Sequence, residues 1–129
     1  MLMDVSGGST ANGAKVIQWQ SNGGDNQKWT LNRVADNVYT LKSVKSGLCL
    51  DVPSKSTAEN VQLQQWTCNG GANQQFAADL VGSLTGTKFM LVNVGSGLHV
   101  GVDSSSTTAG AAVVQLTGAG AASQQWTMS

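Results

Sequence analysis

Charge is scarce in this chain. Only 11% of its 129 residues are Asp, Glu, Lys or Arg, seven basic against seven acidic, for a formal net charge of zero. Nucleic-acid and anionic-membrane binders draw their affinity from clustered cations, so this balance argues against both. No apolar run approaches the about 20 residues that a membrane-spanning helix needs. Aromatic residues make up 5%, and proline and histidine occur once each. The single histidine, His99, has no second ligand candidate for a metal site and lies outside the neighbourhood a Ser/His/Asp set would need. Heptads are absent, which excludes a coiled coil. What is abundant is glycine, at 16 residues, together with 11 Gln and 9 Asn. The chain is polar but uncharged and rich in turn formers, and its length suits one domain with one core.

Three copies of one unit fill the sequence. Displaced by 47 positions, Asp4–Trp29 falls without a gap on Asp51–Phe76, with twelve identities that include Asp4/Asp51, Gln18/Gln65, Trp19/Trp66, Asn22/Asn69, Asn26/Asn73 and Gln27/Gln74. Displaced by 50, Asp51–Phe76 falls on Gly101–Trp126, and Tyr39–Leu50 falls on Phe89–Val100. Fixed-period self-similarity of this kind marks a repeat architecture.

Within a unit the pattern is that of short strands. Tyr39–Val44 alternates apolar and polar residues, as a half-buried strand does. Leu48–Val52, Val61–Trp66 and Gln74–Leu80 follow, separated by Gly, Asn and Ser clusters that mark turns. No stretch sustains a 3.6-residue period, so helix is limited to single turns. Four strands in each of three units predict an all-β β-trefoil. A solenoid or a small propeller would also repeat, although a propeller normally has at least four blades. The domain is expected to span 1–129, with repeats at about 1–38, 39–88 and 89–129.

Each unit closes alike, on Gln27-Lys28-Trp29, Gln74-Gln75-Phe76 and Gln124-Gln125-Trp126. With Leu50-Asp51-Val52, Trp66-Thr67-Cys68-Asn69-Gly70-Gly71 and Ala72-Asn73-Gln74, these Gln-x-Trp endings resemble the ricin B-type lectin family, which also holds the family 13 carbohydrate-binding modules. The resemblance covers essentially the whole chain. It implies a β-trefoil of six barrel strands capped by three hairpins, with one potential sugar site per repeat.

The residues support that chemistry. A neutral sugar offers hydroxyls and one apolar C–H face, so its site needs a carboxylate or amide and an aromatic ring. Asp4 precedes Trp19 by fifteen residues, and Asp51 precedes Trp66 by the same interval. A strand, a turn and a return strand of that length place both on one hairpin, and Asn26-Gln27 and Asn73-Gln74 are expected to add amides from the next strand. The resemblance implies that Asp4 and Asp51 accept from sugar hydroxyls and that Trp19 and Trp66 stack on the ring. Asn26 and Asn73 would then hold a hydroxyl, with Gln27 and Gln74 orienting the Asp or touching the sugar. The plain alternatives are turn aspartates and core tryptophans. Trp29, Phe76 and Trp126 fall in phase with the apolar strand residues and are assigned to the core. Gln27, Gln74 and Gln124 persist in all three units, so part of their role is structural. His99 is expected at the surface or in a turn.

At the positions of Asp51, Trp66, Asn69 and Asn73 the third unit has Gly101, Leu116, Ala119 and Ser123. Two working sites are therefore expected, with none in the third unit. Cys49 and Cys68 lie in one unit, where the family resemblance implies a disulfide; two free buried thiols in a reducing cell are the alternative. The other units hold Leu2/Ser21 and His99/Gly118 at those places.

The leading functional class is non-catalytic carbohydrate binding, with galactose, N-acetylgalactosamine or xylan-type glycans as partners and no cofactor or metal. The module of a secreted glycoside hydrolase and a protein-binding trefoil are the alternatives. Secretion is expected, although Met1-Leu2-Met3 is too short for a signal peptide. The nine residues that match Tyr39–Gly47 have no counterpart before Asp4. The first repeat is thus expected to lack its first strand, and the open barrel edge to invite self-association.

Overall fold

A computed structural model describes residues 1–81, 88–118 and 124–126. Its ten strands are β1 (Leu2–Val5), β2 (Val16–Trp19), β3 (Trp29–Ala35), β4 (Val38–Ser43), β5 (Cys49–Asp51), β6 (Gln64–Trp66), β7 (Phe76–Val81), β8 (Lys88–Asn93), β9 (His99–Val102) and β10 (Val113–Leu116). Single 3₁₀ turns lie at Ser6–Gly8, Asp25–Gln27, Pro53–Lys55, Ala72–Gln74 and Asp103–Ser105.

Three expected strands are shorter than the sequence suggests, Leu48–Val52 by one residue at each end. Gln74 belongs to a turn rather than to β7, because the N–H groups of Gln74 and Gln75 donate back to Gly71 and Ala72 carbonyls at 3.0 and 3.2 Å. Val61–Leu63 lies outside β6 because its partners belong to other units. The Leu63 N–H donates to Val113 O at 2.9 Å, and Leu63 O accepts from the Val16 N–H at 3.0 Å.

Three antiparallel hairpins, β1–β2, β5–β6 and β9–β10, occupy matching places in the three units. The remaining strands join the second and third hairpins into one eight-stranded sheet of order β10-β9-β8-β7-β4-β5-β6, with β3 on β4, while β1–β2 is a two-stranded sheet of its own. Trp126 closes against Phe89 through backbone bonds of 2.7 and 2.8 Å. Strand-to-strand contacts also run round the three hairpins. Gln18 N donates to Ala111 O at 2.9 Å, Gln65 N to Ala14 O at 3.0 Å and Gln115 N to Val61 O at 3.1 Å. Each acceptor lies in a different unit from its donor, so the ring of bonds is complete. The architecture is the expected β-trefoil.

The core obeys the same symmetry. Met3, Leu50 and Val100 form one buried set; Val5, Val52 and Val102 a second; Val16, Leu63 and Val113 a third; and Trp29, Phe76 and Trp126 a fourth. Positions that recur at the 47- and 50-residue displacements thus converge on one axis. A buried indole needs an acceptor. The Nε1–H of Trp29 donates to Met3 O at 3.1 Å and that of Trp126 to Val100 O at 3.0 Å. Phe76 fills the same slot without an N–H.

Cys49 and Cys68 are joined by a disulfide, with their Cα atoms 5.1 Å apart. In the third unit His99 lies on β9 rather than in a turn, and is half-buried. Its ring occupies the space the disulfide fills in the second unit, so that a Cβ on Gly118 would stand 2.4 Å from Nε2. Truncation of the axial aromatic should be costly: Phe76→Ala is expected to lower folding stability by about 3–5 kcal/mol in urea denaturation, the range for a large buried aromatic.

Candidate functional site

The register of β5 and β6 sets Asp51 opposite Gln64 and Cys49 opposite Trp66. Asp51 and Trp66 are therefore diagonal neighbours on one face of the hairpin, within reach of one small ligand. Asp51 is only 3% exposed, whereas Trp66 is 42% exposed. Its ring is not a core residue: it faces solvent at the edge of a groove of about 390 Å³ lined by Asp51, Pro53, Lys55, Gln64, Trp66 and Asn73, among others.

The carboxylate is held by three amides. Gln64 Nε2 donates to Oδ1 at 3.0 Å, and Asn73 Nδ2 and Gln74 Nε2 donate to Oδ2 at 3.1 and 2.9 Å. An ionised carboxylate offers about four lone-pair directions, so one remains for a ligand. Gln74 is fully buried and spends its whole amide inside the protein. Its second N–H goes to Thr67 O at 2.9 Å, and its Oε1 accepts from the Asn69 N–H at 2.9 Å. Of the two roles considered for Gln74, the geometry fits orientation of Asp51. Asn73 comes from the Ala72–Gln74 turn rather than from a strand. Its Nδ2 also donates to Val52 O at 3.1 Å, and its Oδ1 is buried without a partner.

The first unit repeats the arrangement. Asp4 pairs with Ile17, and Leu2 with Trp19. Asp4 is 4% and Trp19 42% exposed. Gln27 Nε2 donates to Asp4 Oδ2 at 2.9 Å and to Gln20 O at 2.8 Å, and Asn22 N donates to Gln27 Oε1 at 3.0 Å. Asn26 sits on the Asp25–Gln27 turn and donates to Val5 O at 3.1 Å. The groove here encloses about 450 Å³ between Asp4, Gly7, Gly8, Ile17, Trp19 and Asn26, among others. Burial pushes the Asp4 carboxyl above the ordinary aspartate value, against the hydrogen bonds from Gln27 and Asn26 that lower it.

All eight residues singled out from the sequence thus gather in two groups, Asp4, Trp19, Asn26 and Gln27 around one groove and Asp51, Trp66, Asn73 and Gln74 around the other. Gln64 escaped the sequence reading because the first unit has Ile17 in its place; only the strand register shows it facing Asp51. Asn22 and Asn69 were visible as identities, and each shapes the approach to its groove. Gly24 N donates to Asn22 Oδ1 at 2.8 Å and Gly71 N to Asn69 Oδ1 at 2.9 Å. These turns require glycine: a Cβ on Gly71 would lie 2.6 Å from Asn73 Oδ1, and one on Gly24 would lie 2.6 Å from Asn26 Oδ1. In the third unit Gly101 and Leu116 stand on the hairpin where the carboxylate and ring would be. Ala119 and Ser123 lie outside the described residues.

A family model for the ricin-type β-trefoil lectin domain matches residues 1–39, 25–85 and 79–129. The chain belongs to this family. Among solved structures, the ricin-type domain is similar to a designed three-fold symmetric protein, ThreeFoil, at 40% identity and a TM-score of 0.89, over 96% of this chain and 86% of that one. It is similar to the exo-β-1,3-galactanase 1,3Gal43A of Clostridium thermocellum at 33% identity and a TM-score of 0.90, over 96% of this chain but 26% of the galactanase. It shares its fold with the ricin B-like lectin of Macrolepiota procera, at 21% identity and a TM-score of 0.74, over 97% of this chain and 84% of that one. No curated protein matches the chain.

Because Gln74 satisfies three groups at once, its loss should be felt in the fold as well as the groove. Gln74→Ala is expected to cost about 2–4 kcal/mol in chemical denaturation, the penalty for leaving buried partners unmet.

Proposed function

We propose that this domain binds carbohydrate without catalysis, through the two grooves of the first and second units, and that each takes a galactose-type residue. One observation carries the reading. A buried, oriented carboxylate and a solvent-facing tryptophan recur together on one hairpin face, twice. The carboxylate suits a pair of sugar hydroxyls and the exposed ring suits the apolar face of the pyranose. The galactose preference is supported by the likeness to a segment of the galactanase.

Glycoside hydrolysis takes two carboxylates flanking one bond. Among the described residues each groove is lined by a single carboxylate, Asp4 in one and Asp51 in the other. The disulfide favours an oxidising, secreted setting. A shallow groove with one ring and few hydrogen bonds supplies little free energy, so each site should bind in about the millimolar to high micromolar range. Two such sites on one rigid body raise avidity for arrayed glycans.

The decisive experiment is a galactose titration followed by nuclear magnetic resonance of the indole N–H groups. Shifts at Trp19 and Trp66, with two sugars per chain by calorimetry, are expected; silence at both rings across a glycan panel overturns the reading. Trp19→Ala and Trp66→Ala should each remove one site while leaving stability nearly unchanged, because both rings are largely exposed. Unfolding of either variant would return that ring to the core.

Acid should weaken the first groove through Asp4. Its raised carboxyl takes up a proton earlier than a free aspartate as pH falls, and an acceptor is lost. Since the folded-state value lies above the unfolded one, protonation of Asp4 favours the folded state. The Trp19 response to sugar should therefore fade with no loss of stability attributable to Asp4, as checked by parallel melting curves.

A further inference from the structure

The loop of each hairpin ends on a residue with left-handed backbone: Gly13 (φ 86°), Asn60 (φ 67°) and Gly110 (φ 90°). The N–H of that residue crosses a unit boundary. Gly13 donates to Gln65 O, Asn60 to Gln115 O and Gly110 to Gln18 O, each at 2.8 Å. The acceptor is in every case the residue just before the ring position, which is Trp66, Leu116 or Trp19.

The same glutamines grip these loops with their side chains. Gln65 Nε2 donates to Ser9 O and Ala11 O at 3.0 and 2.9 Å. Gln115 Nε2 donates to Ser56 O and Ala58 O at 3.0 and 2.7 Å. Gln18 Nε2 donates to Ser106 O and Thr108 O at 2.9 and 2.8 Å. Each loop is thereby fastened to another unit's strand, at the residue before Trp66, Leu116 or Trp19.

At the two boundaries with a ring, the loop ends on glycine. A Cβ on Gly13 would stand 3.7 Å from Cζ3 of Trp66, and one on Gly110 would stand 3.6 Å from Cζ3 of Trp19. At the third boundary, where Leu116 replaces the ring, the residue is Asn60. Both rings project from their own hairpins into solvent, so the neighbouring loop is a lateral restraint on each. A side chain longer than a methyl would extend from contact distance over the six-membered ring.

The geometry points to Gly110 and Gly13 as positioning residues for the tryptophans of other units. The ring that borders the first groove thus rests against the loop of the third unit, and the ring that borders the second against the loop of the first. The third unit, which has Gly101 and Leu116 at the places of the carboxylate and the ring, reaches the first groove only through Trp19. This rests on the carbohydrate-binding reading for its functional consequence, and on the ring contact alone for its structural part.

The test uses Gly110→Asn and Gly13→Asn in the full chain, since Asn60 shows that asparagine adopts this backbone at the matching position. Indole N–H signals are recorded without sugar, then through a galactose titration, with melting curves alongside. Gly110→Asn should displace the Trp19 signal and weaken the first groove by about fivefold or more, leaving the Trp66 signal, the second groove and the melting temperature unchanged. Gly13→Asn should do the converse. An unmoved Trp19 signal in Gly110→Asn overturns the inference, as does a variant in which both rings and the melting temperature move together. If the parent protein binds no sugar, the carbohydrate-binding reading fails, while the sugar-free indole signals still decide the ring placement.

Discussion

The structure depends on glutamine amides buried where water cannot reach them. An unpaired amide in such a place costs several kcal/mol, so each must find protein partners for both its N–H bonds and its oxygen. Two symmetric sets turn their N–H bonds to protein acceptors in different directions. Gln27, Gln74 and Gln124 bond within their units, where Gln27 and Gln74 tie a 3₁₀ turn to the hairpin aspartate and Gln124 reaches Thr117 O at 3.1 Å. Gln18, Gln65 and Gln115 bond between units and fasten each hairpin loop to a neighbour. The first set builds the grooves; the second holds the three units together around the core.

This division explains why the third unit keeps its glutamines without the hairpin residues of a site. Gly101 and Leu116 replace the carboxylate and the ring, yet Gln115 and Gln124 remain and stay buried. Loss of the groove-lining carboxylate and ring exposes no unmet partner, so the fold tolerates it. Loss of Gln18, Gln65 or Gln115 would take from the neighbouring unit's loop carbonyls their side-chain donors.

The two grooves are similar in plan and different in detail. Asp51 faces Gln64 across the strand pair, whereas Asp4 faces Ile17. The wall beside Asp51 carries Pro53 and Lys55, whereas the wall beside Asp4 is Gly7 and Gly8. One carboxylate is steered on both oxygens and hemmed by side chains. The other is steered mainly by Gln27 and left beside bare backbone and an apolar surface, which accounts for the upward push on its pKa. Two hairpins with the same signature residues thus present different surroundings to a ligand.

Much of this was legible from periodicity alone. A 47- and 50-residue self-match, strand-like alternation and three Gln-x-aromatic endings were enough to predict three units, an all-β fold and axial aromatics at Trp29, Phe76 and Trp126. The fifteen-residue interval from Asp to Trp was enough to group the residues of each groove. Strand limits were not legible where partners come from another unit, as at Val61–Leu63, because local alternation carries no record of who pairs across the axis. Gln64 was hidden because a cross-strand partner is set by register, and His99 because its place depends on the space left by a missing disulfide. By itself the sequence determined the repeat, the core positions and which aspartate shares a hairpin with which tryptophan, all of which recur along the chain. Only the tertiary structure decided which unit's loop lies against which ring, because that contact joins residues whose sequence separation encodes nothing about their meeting.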